Sequence, residues 1–251
     1  MNKFYDFLLK VFFVIGLYTK RLKNNKNYIF ISDKESIENI KTAFKNKNLL
    51  IVSNHMTLMD SVLIQLFLFE IFGWLSVIKN NFRQIVWNLP AIENLNLLKE
   101  HQSSNLSMFM YSKFARLLPI DRSNPESSTK TLEKVSKLIN KENVFLIFPE
   151  AGRTRREQFS EEDVTPGAAK VMLDCEKNSG ILPGLLTIYV RAENQFGHSN
   201  LPMSDKIKIY ADFSDSFPIS NDQSQIRKRK NLTIFIGNKI KMLQEKYVNS
   251  N

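Results

Sequence analysis

The sequence predicts an α/β fold: a single mixed, mostly parallel sheet flanked by helices and preceded by an N-terminal amphipathic helix. Three short, continuously apolar runs predict the central strands of the sheet, because such runs are typical of strands covered on both faces. They lie at residues 49–52, 144–148 and 185–190. Helical patterns separate them, and no repeat or long linker divides the chain. We therefore expect a helix over residues 1–23 and one mixed domain over residues 24–251.

The composition indicates a globular protein with an anionic partner. The chain has 251 residues, of which 43% are hydrophobic and 24% charged, so it can bury a sizeable core. Its 35 Lys and Arg against 25 Asp and Glu leave a net charge of +10, which favours a phosphate-bearing partner. We see no helix-turn-helix, zinc or RNA-binding motif, which argues against nucleic acid. The one cysteine, Cys175, is expected to be a small buried thiol.

The first 23 residues are predicted to form a helix that lies in a membrane interface. Their apolar block, residues 11–18, is shorter than the roughly 20 residues that a transmembrane helix needs. Apolar side chains at near-helical spacing are followed at once by a cluster of Lys and Arg, and this combination suits a helix on an anionic bilayer. A terminal helix packed on the protein's own core would show the same pattern, so both interpretations stay open.

The rest of the chain predicts further helices and strands. Residues 61–78 are nearly all apolar and predict a buried helix or one that faces an acyl-chain groove, with a re-entrant membrane segment as the alternative. Residues 127–142 predict an amphipathic helix with a serine cap, and residues 166–178 another with proline in its first turn. Residues 206–212 alternate and predict an edge strand. The basic cluster at 227–230 is interpreted as part of a solvated helix face.

A histidine and an aspartate follow the first central strand at a spacing suited to a catalytic pair. Ligands of open α/β sheets collect at the carboxyl ends of strands. On one continuous helix His55 and Asp60 would lie ~140° apart, so the pair must straddle a loop-to-helix junction. There the carboxylate can accept the proton of one imidazole nitrogen and leave the other as a base. Alternatively, Thr57 and Asp60 match a capping box, in which Asp60 only satisfies backbone amides.

A second motif, F-P-E-A-G-R at residues 148–153, follows the next central strand. The guanidinium of Arg153 can bind a phosphate through two parallel hydrogen bonds. The small residue Gly152 would let backbone amides approach the same group. We expect Arg153 in a phosphate site and the later arginines, Arg155 and Arg156, in a solvated loop.

Together these motifs resemble the four sequence blocks of the glycerolipid acyltransferases, the 1-acyl-glycerol-3-phosphate acyltransferase (PlsC-like) family. The blocks occur in the family's order and approximate spacing at residues 54–60, 118–122, 148–153 and 182–183. The segment around Lys79 resembles the family's lysine segment, and residues 165–170 resemble its glycine segment. The resemblance covers residues 49–190, more than half of the chain.

The chain departs from the family pattern in three blocks. The third block has Ala151 where the family usually has glycine, and the second keeps Asp121 and Arg122 but lacks its leading glycine and phenylalanine. The fourth follows Pro183 with Gly184 instead of a branched residue. These departures leave the head group of the acceptor open.

The resemblance implies a catalytic pair and a phosphate site. His55 would be the general base that deprotonates a glycerol hydroxyl, and Asp60 would orient it and balance its charge. Neither a metal nor a cofactor is implied, and acyl-CoA or acyl-carrier protein would serve as co-substrate. The residues expected around the acceptor's phosphate end are Glu150, Gly152, Arg153, Arg122 and Lys79.

The implied activity is that of a 1-acyl-sn-glycerol-3-phosphate O-acyltransferase in phospholipid biosynthesis. It would move a fatty acyl group to the free hydroxyl of lysophosphatidic acid. The implied location is the cytoplasmic face of an anionic membrane, as a peripheral or monotopic protein. Two alternatives are another lysophospholipid or lyso-lipid as acceptor, and a catalytically silent membrane-associated scaffold protein with the same fold.

Overall fold

The computed structural model confirms the predicted α/β fold. It describes residues 28–73, 76–77, 83–92, 116–150, 152–153 and 158–249. These residues form a six-stranded mixed sheet flanked by five helices. The N-terminal helix predicted over residues 1–23 lies outside the described residues.

The strands and helices alternate along most of the chain. In order they are β1 (Ile29–Ile31), α1 (Lys34–Ala43), β2 (Leu49–Ser53), α2 (Asp60–Phe72), β3 (Trp87–Asn88), α3 (Pro125–Ile139), β4 (Phe145–Ile147), α4 (Gly167–Ser179), β5 (Gly184–Ala192), β6 (Lys206–Ser214) and α5 (Gln225–Asn249), with a short 3-10 turn at Glu161–Asp163. The strand order across the sheet is β1-β6-β5-β2-β4-β3. Every neighbouring pair is parallel except β5 with β6. The carboxyl end of β2 therefore lies between those of β5 and β4.

Both faces of the sheet are covered by helices. One face packs against α3, α4 and α5 through residues such as Val135, Met172 and Ile236. The other packs against α1 and α2 through Ile40 and Leu63. Every residue of β2 and β5 is buried, which explains why these strands appear in the sequence as continuous apolar runs.

The strand predicted at residues 206–212 exists, but its predicted position at the sheet edge is wrong. β6 lies between β5 and β1, and β1 pairs with its first residues, Ile29 opposite Lys206 and Ile31 opposite Lys208. The three residues of β1 are too few to show a clear alternation in the sequence. The sequence pattern therefore does not predict this short strand, which covers the edge of β6.

The cap of α3 also differs from the prediction. The side chain of Asn124, not a serine, accepts a hydrogen bond from the amide of Ser127 at 3.0 Å. Pro125 occupies the first turn, where its missing N–H costs nothing because that amide has no helical partner.

The apolar segment at residues 61–78 contains a buried helix, α2. Its side chains Leu63, Phe67 and Leu68 are buried, and the helix ends at Gly73, whose φ is 71°. Gln65 is buried as well, and it donates to the carbonyl of Gln84 at 2.8 Å and accepts from the amide of Val86 at 2.9 Å. Among the described residues, no helix combines the length and apolar character of a membrane span.

Candidate active site

The structure brings His55 and Asp60 together at the carboxyl end of β2. His55 lies in the loop after the strand, and Asp60 is the first residue of α2. Nδ1 of His55 donates to Oδ2 of Asp60 at 3.1 Å, and the side chains are 15% and 2% exposed. Within the described part of the chain the imidazole makes no other hydrogen bond, and in the neutral tautomer with its proton on Nδ1 the lone pair on Nε2 can accept a proton.

The Asp60 carboxylate is satisfied by several donors besides the imidazole. It accepts from the amides of Met56 (2.6 Å) and Thr57 (2.8 Å), and from the Thr57 hydroxyl (2.6 Å). Thr57 Oγ1 in turn accepts from the amide of Met59 at 3.1 Å, which gives the junction a capping-box character. Both interpretations of the sequence therefore describe real contacts: the same carboxylate orders the start of α2 and holds the imidazole.

Asn54 fixes the backbone immediately before His55. Its Nδ2 donates to the carbonyl of Val190 at 2.9 Å, and its Oδ1 accepts from the Val190 amide at 2.8 Å. The buried side chain thus continues the pairing of β2 with β5 past the last residue of the strand. Sequence reasoning included Asn54 in a motif but gave it no role, and its only signal was a polar residue directly after a buried run.

The residues after β4 pack directly against His55. The rings of Phe148 and His55 stack with centroids 4.1 Å apart and an interplanar angle of 16°. Oε1 of Glu150 accepts from the backbone amide of His55 at 3.0 Å. These contacts arise because β4 is the parallel neighbour of β2, so the two strands end side by side. The Glu150 side chain therefore binds the backbone of the loop that carries His55, a contact that the sequence does not predict.

Arg153 is tied to the connection between β5 and β6. Its Nη1 donates to Asn200 Oδ1 at 2.9 Å and lies 3.4 Å from the Ser199 carbonyl. Nε and Nη2 make no hydrogen bond within the described residues, and such a pair of guanidinium donors can bind an anion in parallel. Gly152 does not have a positive φ, and a Cβ there would meet nothing nearer than the Glu150 carbonyl at 4.0 Å.

Arg122 and Lys79 are the two other predicted phosphate ligands. Arg122 is exposed just before α3. The segment leading to it bridges to Asn88 and Ala91, on the β3 side of the sheet. Lys79 lies outside the described residues, as do Ala151, Arg155 and Arg156.

Tyr189 lies beneath the site in the middle of the sheet. It is 1% exposed, and Arg191 Nη1 lies 3.4 Å from its hydroxyl. Burial raises the pKa of the Tyr189 phenol, the nearby Glu150 carboxylate raises it further, and Arg191 opposes the increase. The phenol therefore stays neutral at physiological pH. Among the described residues, no group of three or more His, Cys, Asp or Glu side chains is arranged to hold a metal ion.

Comparison with known proteins agrees with the resemblance drawn from the motifs. The chain matches the model of the family described as Acyltransferase over residues 29–189, more than half of its length. It shares its fold with the crystal structure of the 1-acyl-sn-glycerophosphate (LPA) acyltransferase PlsC from Thermotoga maritima, at 12% identity, 98% coverage of both chains and a TM-score of 0.50. No curated protein sequence matches the chain. On the family match, this chain is a member of the acyltransferase family.

Proposed function

We propose that the protein transfers a fatty acyl group from acyl-CoA or acyl-carrier protein to the free hydroxyl of lysophosphatidic acid, a step of phospholipid biosynthesis. The observation that carries the proposal is the His55–Asp60 pair. One imidazole nitrogen is bound to a buried carboxylate at 3.1 Å, and the other has no hydrogen bond within the described residues. This is the arrangement that a general base requires.

In the proposed reaction, Nε2 of His55 takes the proton of the acceptor's hydroxyl. The oxygen attacks the carbonyl carbon of the thioester, the carbon–sulfur bond breaks, and the thiolate leaves with the proton that the imidazolium returns. Asp60 stabilises the imidazolium through Nδ1. A positioned base of this kind typically contributes about 10² to 10⁴ in rate. No covalent acyl-enzyme intermediate is needed.

The acceptor's phosphate is proposed to bind the Nε and Nη2 donors of Arg153. The contact of Arg153 with Asn200 fixes the guanidinium next to the loops around His55, since Ser199 donates to the carbonyl of Met56 at 3.0 Å. Lys79 and Arg122 stay as further candidates for the same phosphate. A different lyso-lipid as acceptor is the second candidate, since the third sequence block departs from the family pattern at Ala151.

We further propose that the protein acts as a peripheral or monotopic protein on the cytoplasmic face of a membrane. The acceptor is an amphiphile that resides in the bilayer, and the first 23 residues combine an apolar block with a basic cluster. The net charge of +10 favours anionic lipid.

The test is an acyl-transfer assay with lysophosphatidic acid and a panel of other lyso-lipids, with acyl-CoA and acyl-carrier protein as alternative donors. We expect turnover by the wild type and a loss of about 10² to 10⁴ in kcat for His55→Ala. His101→Ala is the matched control, because this histidine has no acid five residues later.

Each outcome of the assay is informative when folding is checked by circular dichroism. Substantial turnover by a folded His55→Ala would refute the general-base assignment. Turnover with another lyso-lipid but not with lysophosphatidic acid would replace the acceptor. A folded wild type that is inactive with every donor and acceptor would favour the silent scaffold.

A further inference from the structure

The connection between β5 and β6, residues 193–205, holds large apolar side chains in solvent. Phe196, Leu201 and Met203 are 67%, 56% and 53% exposed. Leu58 is 48% exposed and lies next to Thr57, which bridges to Ser199 of the same connection. Scattered exposed apolar residues need no explanation, but several in one loop mark an interaction surface.

Polar contacts brace this loop from within. The Gln195 side chain, 1% exposed, donates to the Gly197 carbonyl (2.8 Å) and the Ser199 hydroxyl (3.0 Å) and accepts from the Met203 amide (3.1 Å). Arg191 donates to the Gln195 carbonyl at 3.0 Å. These hydrogen bonds of the buried Gln195 fix the backbone of the 193–205 loop while its large apolar side chains stay exposed.

The loop lies beside the candidate active site and at the point where the chain enters the sheet. Asn200 accepts from Arg153 at 2.9 Å. At the base of the loop, the carbonyl of Asp205 accepts from the amide of Ile29 at 2.8 Å. Ile29 is 56% exposed and begins β1. The described fold therefore begins at the base of this loop, a few residues after the segment 1–23 for which the sequence predicts a membrane-interface helix.

The charge at the tip of the 193–205 loop suits a lipid surface. Two acids, Glu193 and Asp205, stand at the ends of the loop, and His198 is the only ionisable side chain between them. Arg153 adds a cation next to Asn200, and Glu193 at the loop's base lies 3.6 Å from Lys206. Exposed apolar side chains with a nearby cation suit an anionic bilayer interface, because burial of apolar area and attraction to anionic lipid both favour binding.

We propose that the 193–205 loop is a membrane-docking element that inserts Phe196, Leu201 and Met203 into the interfacial region of an anionic bilayer. Docking holds the carboxyl end of β2, with His55, against the lipid surface. This proposal concerns lipid binding and does not require that the protein transfer acyl groups.

Vesicle flotation of the full chain tests the proposal with a matched pair of variants. The vesicles contain phosphatidylcholine and phosphatidylglycerol. Phe196→Ser/Leu201→Ser removes two apolar side chains of the loop, and we expect its partition coefficient to fall by roughly tenfold or more. Ile181→Ser/Ile226→Ser removes two residues of similar exposure, 65% and 73%, and its coefficient should stay within about twofold of the wild type. Ile181 lies just before the amino end of β5, away from the loop.

A tryptophan probe then measures insertion directly. Fluorescence of Phe196→Trp should be quenched by brominated lipid beyond the wild-type background, and that of Ile181→Trp should not. Without vesicles, the emission of Phe196→Trp should be that of a water-exposed indole.

Three results would overturn the proposal: wild-type partitioning by the loop variant, equal quenching at positions 196 and 181, or a blue-shifted Phe196→Trp emission before vesicles are added. The last would show that the loop is covered by another part of the chain or by a second copy. Flotation and quenching use no substrate, so a failure of the acyl-transfer assay would leave their interpretation unchanged.

Discussion

Glu150 is the residue whose position most changes the interpretation of the site. The sequence resemblance assigns it to the phosphate end of the acceptor, whereas in the structure its Oε1 accepts from the His55 amide at 3.0 Å. This contact needs an oxygen acceptor but not a negative charge. The variant Glu150→Gln therefore distinguishes two roles of this residue. It should be tolerated if Glu150 holds the histidine loop, and harmful if Glu150 orders cations around a phosphate.

We predict that Glu150→Gln keeps kcat/KM within about fivefold of the wild type, because its amide oxygen can accept from His55. Glu150→Ala leaves that amide without a partner, at a cost of about 1–3 kcal/mol, and should lower kcat/KM by roughly 10- to 100-fold. Steady-state kinetics of the two variants measure this difference in kcat/KM. If Glu150→Gln lowers kcat/KM as much as Glu150→Ala does, the negative charge is required and the phosphate role gains support.

At the residue scale, sequence reasoning finds the groups that have a fixed spacing and misses those defined by neighbouring strands. The relation of His55 to Asp60 follows from one loop and one helix start. Other contacts depend on which strands lie next to β2. These are the stacking of Phe148 on His55 and the two hydrogen bonds between Asn54 and Val190. A one-dimensional pattern does not contain that information.

Gly184, the first residue of β5, explains at the element scale one departure from the family pattern. A Cβ at this position would lie 2.8 Å from Asn46 Nδ2 and 2.8 Å from the Phe213 ring. Phe213 belongs to β6, the antiparallel neighbour of β5. The strand therefore begins with glycine because an aromatic ring fills the space that a branched side chain would occupy.

Gly184→Val is expected to destabilise the protein by about 1–3 kcal/mol, because the new side chain must displace the ring of Phe213. Combining it with Phe213→Ala should cost less than the sum of the two single changes, since the smaller residue makes room. Urea unfolding of both single variants and the double variant measures this coupling. Strict additivity would show that the ring is not what excludes the branched residue.

The strands are predictable to the extent that they are buried and lie in an apolar run of the sequence. β2, β4 and β5 meet this condition, whereas β1, which has three residues like β4, exposes Ile29 and Ile31, and β3 has only two residues. The alternation of Lys and Ile in β6 predicts an edge strand. Lys208 is nevertheless only 8% exposed, and its ammonium lies 5.5 Å from the centre of the Tyr247 ring. Contact with the aromatic face replaces the solvent that the pattern suggested.

An ion pair joins α5 to the start of α1 and should give a pH-dependent contribution to stability. Lys246 Nζ lies 2.8 Å from Asp33 and 2.8 Å from Glu35. Although burial opposes the change, hydrogen bonds from Lys246 and Ser36 lower the pKa of the Asp33 carboxyl. A lowered folded-state pKa stabilises the fold above the unfolded value, near 4, and this contribution is lost as the pH falls through the folded value.

We therefore expect wild type to exceed Lys246→Met in unfolding free energy at pH 7 by up to about 1 kcal/mol, since the pair is partly exposed. The difference should shrink as the pH is lowered below about 4. Urea unfolding across this pH range measures it, with Lys230→Met as the control because Lys230 makes no ion pair within the described residues. A difference that does not change with pH would contradict the assignment.

At the scale of the whole molecule, the reactivity of the Cys175 thiol indicates whether the core is folded. It lies in α4 and is completely buried, and its Sγ is 3.6 Å from the carbonyl of Ser136 in α3. Burial raises the pKa of the thiol to about 12, and Asp174 adds to the increase. Thiolate is the reactive form, so at pH 8 only about one thiol in 10⁴ is ready to react in the folded protein.

Native protein should therefore resist alkylation by iodoacetamide at pH 8, and labelling should appear only as the chain unfolds. The urea midpoint for labelling should match the midpoint by circular dichroism, because the thiol sits between two core helices. Labelling of the folded protein at the rate of a free cysteine would mean that α3 and α4 separate without global unfolding.

The antiparallel pairing of β5 with β6 sets where the ends of the described chain emerge. Ile29 meets Asp205 at the start of β6, and Tyr247 lies 3.5 Å from the carbonyl of Ala192 at the end of β5. Both ends therefore flank the β5–β6 hairpin at the edge of the sheet that is next to His55. If the protein were immobilised on a sensor surface through the end of α5, this edge of the sheet would face the surface and be less accessible. Immobilisation through residue 181 would leave the same edge exposed to the solution.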